Sequence, residues 1–567
     1  MFGWLVTNKE IVNSDYKWLP EGVEKKTLNG ITFLRKHNGR FQNDVIFEET
    51  KEYFVIIDGV ILNKNELVEE YNNTFLDIVI QLYQENKEKL PKSLRGSFSG
   101  MIYSKDCKEI FSFTNHTGDS GVFYEIEEGI IISSNFRWIA KLLKNMGAEY
   151  KLDKNAVNYM CTFGFMLDNT TFIDKIKRLM PGEYIHYSGK NARLSFYHEF
   201  NNYDTINMDE QVLIETIDQL FRQAIRREFE KDREYGYTSI VDLSGGLDCR
   251  MINYVAKEMG YADILNVSFS QTYSDEYKAM IELSRDLKFK LFHYPLDNAT
   301  HLYDVDKIVA KNYGLSFYAG ASALMSIMEN INLQIYGLEH GGIMGDMADG
   351  VFPGSSYTEH IPPSFEKGMP FCRKFDLNIL PTNILDEYKN LELFTIMGRG
   401  LLGGASTQLI RREYTGYASP FEDVDFYDFY LSIPVEVRGK QKILQKWGQQ
   451  KYPDAFDVIE DKLMCKPNAN AFLKKYKIIK RKIRGKLIQY VGNQLPSLVM
   501  NNMNPTEYWY NTNPQLRLFI EEYYEKNIHL LEEYEDSRAM VSALFVGGCI
   551  DEKLIALTIL STMKQFF

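Results

Sequence analysis

The chain has 567 residues, 45% hydrophobic and 25% charged, with a net charge of −12. That length exceeds what one hydrophobic core sustains and calls for two or more domains, while the composition excludes disordered and fibrous classes. The acidic balance disfavours a nucleic-acid partner, no run of about 18 apolar residues offers a membrane span, and the start, MFGWLVTNKEIVNSDYK, lacks the pattern of a secretory signal. A cytoplasmic protein is expected. Its six cysteines (Cys107, Cys161, Cys249, Cys372, Cys465 and Cys549) show no C-x-x-C spacing, so they read as reduced, mostly buried thiols rather than disulfides or a zinc site.

In chain order, the first 200 residues read as short strands. YFVIIDGVILN (53–63), GSFSGMIYS (96–104), EIFSFTNHTG (109–118) and GIIISSNF (129–136) are β-branched or aromatic runs bounded by Gly, Asn and Asp. Helices are predicted at NELVEEY (65–71) and FLDIVIQLYQENK (75–87), which makes an α+β domain with packed sheets. After the polar stretch 201–210, VLIETIDQLFRQAIRREFEKD (212–232) carries apolar residues at helical spacing. Strands then alternate with helices: TSIVDLS, a helix from about 248, DILNVSFS, a helix from about 275, FKLFHYPL and LQIYGL. That alternation predicts parallel strands with crossover helices, a doubly wound α/β domain. Beyond about 370 the chain reads as mostly helical, and its basic stretch KKYKIIKRKIRGK (474–486) reads as a solvated helix face or, failing that, a site for phosphate or an acidic peptide.

Chemistry concentrates in Ser244-Gly245-Gly246-Leu247-Asp248, where two glycines follow an apolar strand and precede a helix. Glycine lets backbone N–H groups approach phosphate oxygens, and a helix N-terminus favours negative charge. The Ser244 hydroxyl can donate to a phosphate, and Asp248 can hold a Mg²⁺ that bridges phosphates.

TSIVDLSGGLDCR (238–250) resembles the pyrophosphate loop of the asparagine synthetase family. Ser274-Asp275-Glu276, GGIMGDMADG (341–350), SPFEDVDFYDFYLSIP (419–434) and YPDAFDVIEDK (452–462) are similar to later family segments, in the same order. The resemblance implies a degenerate glutamine amidotransferase domain over 1–205, an Ntn-hydrolase-like sheet sandwich. It implies a synthetase domain over 206–567 of the ATP pyrophosphatase (adenine nucleotide alpha hydrolase-like) kind. ATP and Mg²⁺ would be the cofactors. The backbone around Val241 and Leu243, with Ser268, would line adenine; Ser244, Gly245, Gly246 and Leu247 would cradle phosphates; Asp248 and Asp346 would hold the metal. Lys462, nine residues after Pro453, would stabilise developing negative charge, with Lys466 as competitor. The family places a proton-accepting residue three positions before its second metal aspartate. Here that position is Ile343, which transfers no proton; Glu339 and His340 lie just upstream and could substitute, although an exposed Glu-His pair is more often simply polar surface, and the general base is unassigned.

The N-terminal half departs from the family where its chemistry should be. Phe2 stands in place of the nucleophilic Cys; in IIDGVILNKNEL Asp58 replaces an oxyanion-stabilising Asn, and in LRGSF Arg95 replaces a substrate-binding Asp. A carboxylate at an oxyanion hole repels the developing charge, so glutamine hydrolysis is expected to be absent. Gly59, Gly118 and FTNHTGDSGVFY keep the structural pattern. The resulting expectation is ATP-dependent amide-bond formation through an acyl-adenylate, releasing AMP and pyrophosphate. The amine has a source other than glutamine and belongs to the substrate itself, as in the β-lactam synthetases and lasso-peptide cyclases that the domain plan resembles. A small-molecule or peptide carboxylate, including a precursor peptide, would be the partner. Two alternatives are an ammonia-dependent amidotransferase acting on an amino acid or a polysaccharide sugar acid, and a noncatalytic ligand-binding relative.

Overall fold

The computed structural model describes every residue except 1, 11–18, 128, 190, 349–360, 369 and 492–498. The first half carries strands β1 (Gly3–Thr7), β2 (Glu24–Leu28), β3 (Ile31–Lys36), β4 (Ile46–Glu49), β5 (Tyr53–Ile61), β6 (Gly96–Ser104), β7 (Glu109–Thr114), β8 (Phe123–Glu125), β9 (Ile131–Ser133), β10 (Lys177–Arg178), β11 (Glu183–Ser188) and β12 (Asn191–Phe196). They form two antiparallel sheets, β10-β8-β9-β1-β3-β2 and β12-β11-β7-β6-β5-β4. Strand β5 reads as an almost unbroken apolar run because both its faces are covered. Phe54 and Ile56 join Trp4, Val6 and Phe33 between the sheets, while Val55 and Ile57 meet helix α2 (Phe75–Glu85) through Ile78, Val79 and Leu82; α1 (Lys64–Tyr71) precedes it.

The outer face of the first sheet is covered by α3 (Phe136–Asn145) and α4 (Lys154–Phe163), and the chain's last helix completes this layer. Leu5 and Ile131 share one core with Trp138, Val157, Ile308, Leu554 and Leu557, so the C-terminal helices help to build the N-terminal half.

Helix α5 (Glu210–Glu234) leads into five parallel strands, β13 (Thr238–Asp242), β14 (Ile264–Ser270), β15 (Lys290–Pro295), β16 (Tyr336–His340) and β17 (Tyr417–Ala418), in the order β15-β14-β13-β16-β17. Helices α6 (Leu247–Glu258) and α7 (Asp275–Leu287) follow the first two strands. Val241 and Leu243 pack on α5 and α6 through Ile217, Phe221 and Val255, whereas Ile240 and Val267 pack on the opposite side against Leu324 and Ile327. Beyond residue 418 the described chain is helical, including α8 (Ala471–Val491) and α9 (Ile550–Phe566). Among the described residues no helix is long and apolar enough to cross a membrane. The six cysteines are unbridged, three of them buried.

Candidate functional site

Strand β13 lies inside the sheet, with β14 on one side and β16 on the other. Connections leave in opposite directions at this point, which opens a crevice beyond the carboxyl ends of the strands. Leu243–Gly246 runs across that crevice into α6, whose first turn carries Asp248. A Cβ on Gly245 would sit 2.6 Å from Asp461 Cβ and 2.9 Å from its backbone nitrogen, so close approach of residue 461 makes glycine obligatory there. Arg250 enforces the approach. It is fully buried and donates to the carbonyls of Gly245 (3.0 Å), Ala455 (2.9 Å), Val458 (3.0 Å) and Ile459 (2.7 Å), tying the loop to 455–461.

The Ser-Asp-Glu run opening α7 divides its work. Ser274 Oγ accepts from the Tyr277 amide and caps the helix, Asp275 pairs with Lys278 and Arg484, and Glu276 turns into the loop to accept from the Gly245 amide at 2.8 Å. Burial and the adjacent Asp461 hold the Glu276 carboxyl above the ordinary carboxylate range. Ser244 Oγ accepts from the Gly246 amide at 3.3 Å. Val241 and Leu243 bury their side chains in the core, and Ser268 is buried on β14 opposite His293 of β15.

Asp248 lies against the turn that carries Asp346. Cβ atoms on Gly342 and Gly345 would fall 2.9 Å from Asp248 Cβ and 2.5 Å from Asp248 Cγ, so the Asp248 carboxylate lies against the backbone that delivers Asp346. The turn is held by Ser419, whose hydroxyl donates to the Ile343 carbonyl at 3.0 Å, and contains Met344 in left-handed conformation (φ 74°), a strained backbone typical of functional loops. Asp346 accepts from Gln441 at 3.5 Å. Among the described residues no group of three or more His, Cys, Asp or Glu is arranged to hold a metal ion by itself, so a cation here would draw further oxygens from phosphate and water. The end of GGIMGDMADG lies outside the described residues.

Glu339 and His340, expected as an exposed pair, are fully buried because β16 is an interior strand with both faces covered. Glu339 holds Arg411 in a two-pronged contact (2.6 and 3.1 Å), and His340 lies between Glu228 (2.9 Å) and Asp232 (2.8 Å). Burial alone would lower the His340 pKa, but hydrogen bonds and charge from Asp232 and Glu228 outweigh it and raise it to about 9. Neither residue is placed to take a proton in the crevice. Burial and the Glu339 charge hold Asp242, at the end of β13, well above the ordinary carboxylate range.

Two cavities flank the crevice. One, about 230 Å³, is lined by Gly245, Leu247, Arg250, Gln441, Glu460 and Lys474. Its lysine comes from α8. Lys462 is exposed outside this lining, and Lys466 pairs with Asp457 at 3.0 Å on the surface. The second cavity, about 420 Å³, lies between the halves, lined by Phe163, Phe165, Phe317, Ile343, Asp346 and Arg399 among others. Arg250, Asp461 and Lys474 fall within stretches singled out in the sequence (238–250, 452–462 and 474–486), but nothing there assigned them individual roles.

In the N-terminal half, Phe2, Asp58, Gly59, Ser97 and Arg412 surround a cavity of only about 60 Å³. Asp58 is buried and accepts from Arg412 at 3.2 Å, across 354 positions of sequence. Arg95 grips Asp425 through two bonds (2.7 and 3.2 Å), and Asp425 shares its charge with Arg227, which also binds Glu66 and Asp423. Gly59 retains the backbone its position demands: φ is 122°, and a Cβ would meet the Ser97 carbonyl at 2.2 Å.

Residues 42–198 match the glutamine amidotransferase domain family. Over 271 residues the chain is 22% identical to asparagine synthetase [glutamine-hydrolyzing] 1 of Bacillus subtilis (strain 168), covering 46% of this chain and 42% of that protein. Over 149 residues it is 24% identical to methionyl-tRNA formyltransferase of Finegoldia magna, covering 26% of this chain and 47% of the relative. The chain thus spans less than half the length of these curated relatives. Among solved structures, an allosteric regulatory enzyme of purine biosynthesis matches at 9% identity and TM-score 0.23, over 52% of this chain and 74% of that one. NMN synthetase from Francisella tularensis matches at 13% identity and TM-score 0.19, over 46% of this chain and 100% of that one.

Proposed function

We propose that this chain is an asparagine synthetase-like ligase. It activates a carboxylate with ATP as an acyl-adenylate, releases pyrophosphate, and passes the acyl group to an amine that glutamine does not supply. AMP leaves as the amide forms. The similarity to an amidotransferase domain and to an asparagine synthetase supports ATP-dependent amide ligation in outline. The observation that carries the rest is the Ser244–Asp248 loop at the reversal point of a parallel sheet, with Asp248 seated on the turn that delivers Asp346.

In this reading the Ser244–Leu247 amides and the α6 N-terminus receive phosphate oxygens. The strand ends around Val241, Leu243 and Ser268 accept the adenine. Asp248 and Asp346 would hold Mg²⁺, which would supply neutralisation of phosphate charge. Lys474, already in the cavity beside Gly245, joins Lys462 and Lys466 as a candidate to receive the departing pyrophosphate. Glu276 is displaced from the Gly245 amide when phosphate arrives, which its raised pKa assists by easing its neutral state.

The aromatic chamber supports an acyl substrate with an apolar body, with Arg399 as its basic member beside Asp346, over a sugar acid. The N-terminal pocket supports the second half of the proposal: a phenyl ring replaces a nucleophile, and Arg412 with Asp58 fills the space where glutamine would react. The ammonia-dependent reading draws support from the turn Gly342-Ile343-Met344, which offers no proton acceptor; free ammonia needs less help than an ammonium.

The test is pyrophosphate release with ATP, Mg²⁺ and a panel of carboxylates, with hydroxylamine added to trap acyl-adenylates as hydroxamates. Apolar and aryl-bearing acids should be trapped and uronic acids should not. Absence of pyrophosphate with every acid, together with no ATP binding, sinks the reading. Release with sugar acids alone refutes the chamber assignment.

A further inference from the structure

Helix α8 inverts the usual arrangement of a surface helix. Its 21 residues include eight Lys or Arg and no Asp or Glu, in a chain whose net charge is −12. Polar contacts tie it to the body. Arg481 donates to the Lys462 carbonyl at 3.3 Å, Arg484 pairs with Asp275 at 3.7 Å, and Lys474 donates to the Pro467 carbonyl.

Five of its apolar side chains lie on another face. Phe472, Tyr476, Ile479, Ile483 and Leu487 are spaced four, three, four and four residues apart, so they form one row along the helix. Their exposures are 85%, 56%, 49%, 55% and 47%. Lys475, Lys480, Lys482 and Lys486, all exposed, border the row on both sides by the same geometry. A contiguous row of large apolar side chains in water marks a binding surface.

We infer that α8 docks on the surface of an anionic lipid bilayer. The row of five enters the boundary between headgroups and acyl chains, while the bordering lysines lay their stems along it and bring their ammonium groups to lipid phosphates. A second copy of the helix fits poorly, because pairing the rows would bring the lysine borders face to face. The acidic remainder of the chain is repelled by the same surface, so attachment is confined to α8. Through Lys474 and Arg484 that attachment sets the cavity beside Gly245 and the start of α7 on the membrane side of the molecule. The helix lies on the bilayer and does not cross it.

Co-sedimentation of the full chain with vesicles of phosphatidylglycerol and phosphatidylcholine in equal parts, against vesicles of phosphatidylcholine alone, tests this. The chain should pellet with the anionic vesicles and be released by high salt. I479S/I483S and K475E/K482E should each weaken partition about tenfold or more while leaving the melting temperature unchanged, because these side chains are exposed. Equal recovery with both vesicle types overturns the inference, as does wild-type partition in either variant. So does binding of a polyglutamate probe through α8 without vesicle binding, or self-association abolished by I479S/I483S without it.

Discussion

In the N-terminal half, two of the three positions that depart from the glutaminase pattern are ion-paired to the other half of the molecule: Asp58 to Arg412 and Arg95 to Asp425. In the sheet crevice, the Gly-rich loop and the turn carrying Asp346 each line an open cavity. Both regions hold buried or half-buried charge, but they use it differently. Where charge is matched across the interface, it fastens one half to the other and leaves little room. Where acidic groups lie side by side without a matched cation, as Glu276 beside Asp461, burial and mutual repulsion raise the carboxyl pKa instead. Two positions that depart from the glutaminase pattern thus coincide with a clamp between the halves.

That contrast can be broken most sharply at Asp248. D248A should cut ATP-dependent pyrophosphate release by about 10³-fold, roughly 4 kcal/mol of transition-state stabilisation, with the melting temperature little changed; retained turnover would reject the metal assignment. Next comes Arg250, which belongs to the crevice but acts structurally. R250A strips four backbone carbonyls of their donor and should cost about 3 to 5 kcal/mol in chemical denaturation, and a loss below about 1 kcal/mol would mean that the loop holds itself.

His340 gives a pH signature. Its folded pKa, about 9, lies above its ordinary 6.5, so the stabilisation it provides is complete below pH 6.5 and disappears as pH rises through 9. Its size is about 2 to 3 kcal/mol. Thermal midpoints of wild type and H340Q measured across that window should converge at the alkaline end; parallel curves would contradict an imidazolium between Glu228 and Asp232.

At the clamp the effect is smaller. R95A should cost about 1 kcal/mol, since the pair is only partly shielded from water, and glutamate release from glutamine should stay undetectable in both wild type and F2C. Glutamate release by F2C would show that the pocket's other substitutions leave glutamine chemistry intact.

Much of the framework is legible in local pattern. Strand β6 runs over the predicted 96–104, β5 begins at the predicted 53, and the helix expected over 212–232 is the core of α5. These elements announce themselves because side-chain periodicity is a local property that the chain carries whatever it packs against. LQIYGL is offset from β16, which starts at Tyr336, and GIIISSNF yields only the three-residue β9. In both, residues flanking the strand are equally apolar, and only pairing partners decide where it begins.

By itself the sequence determined the Gly-rich loop, its strand and helix, the chemistry that Ser244, Gly245, Gly246 and Asp248 can perform, and the absence of a nucleophile at Phe2. Those follow from residue type and short spacing. Tertiary structure alone decided that Arg250 clamps the loop to 455–461, that Glu339 and His340 are sealed inside the sheet, that Lys474 enters the cavity beside Gly245, and that Arg95 and Asp58 find partners 330 and 354 positions away. A charge's meaning depends on what folding brings beside it, and no local pattern of residues encodes that.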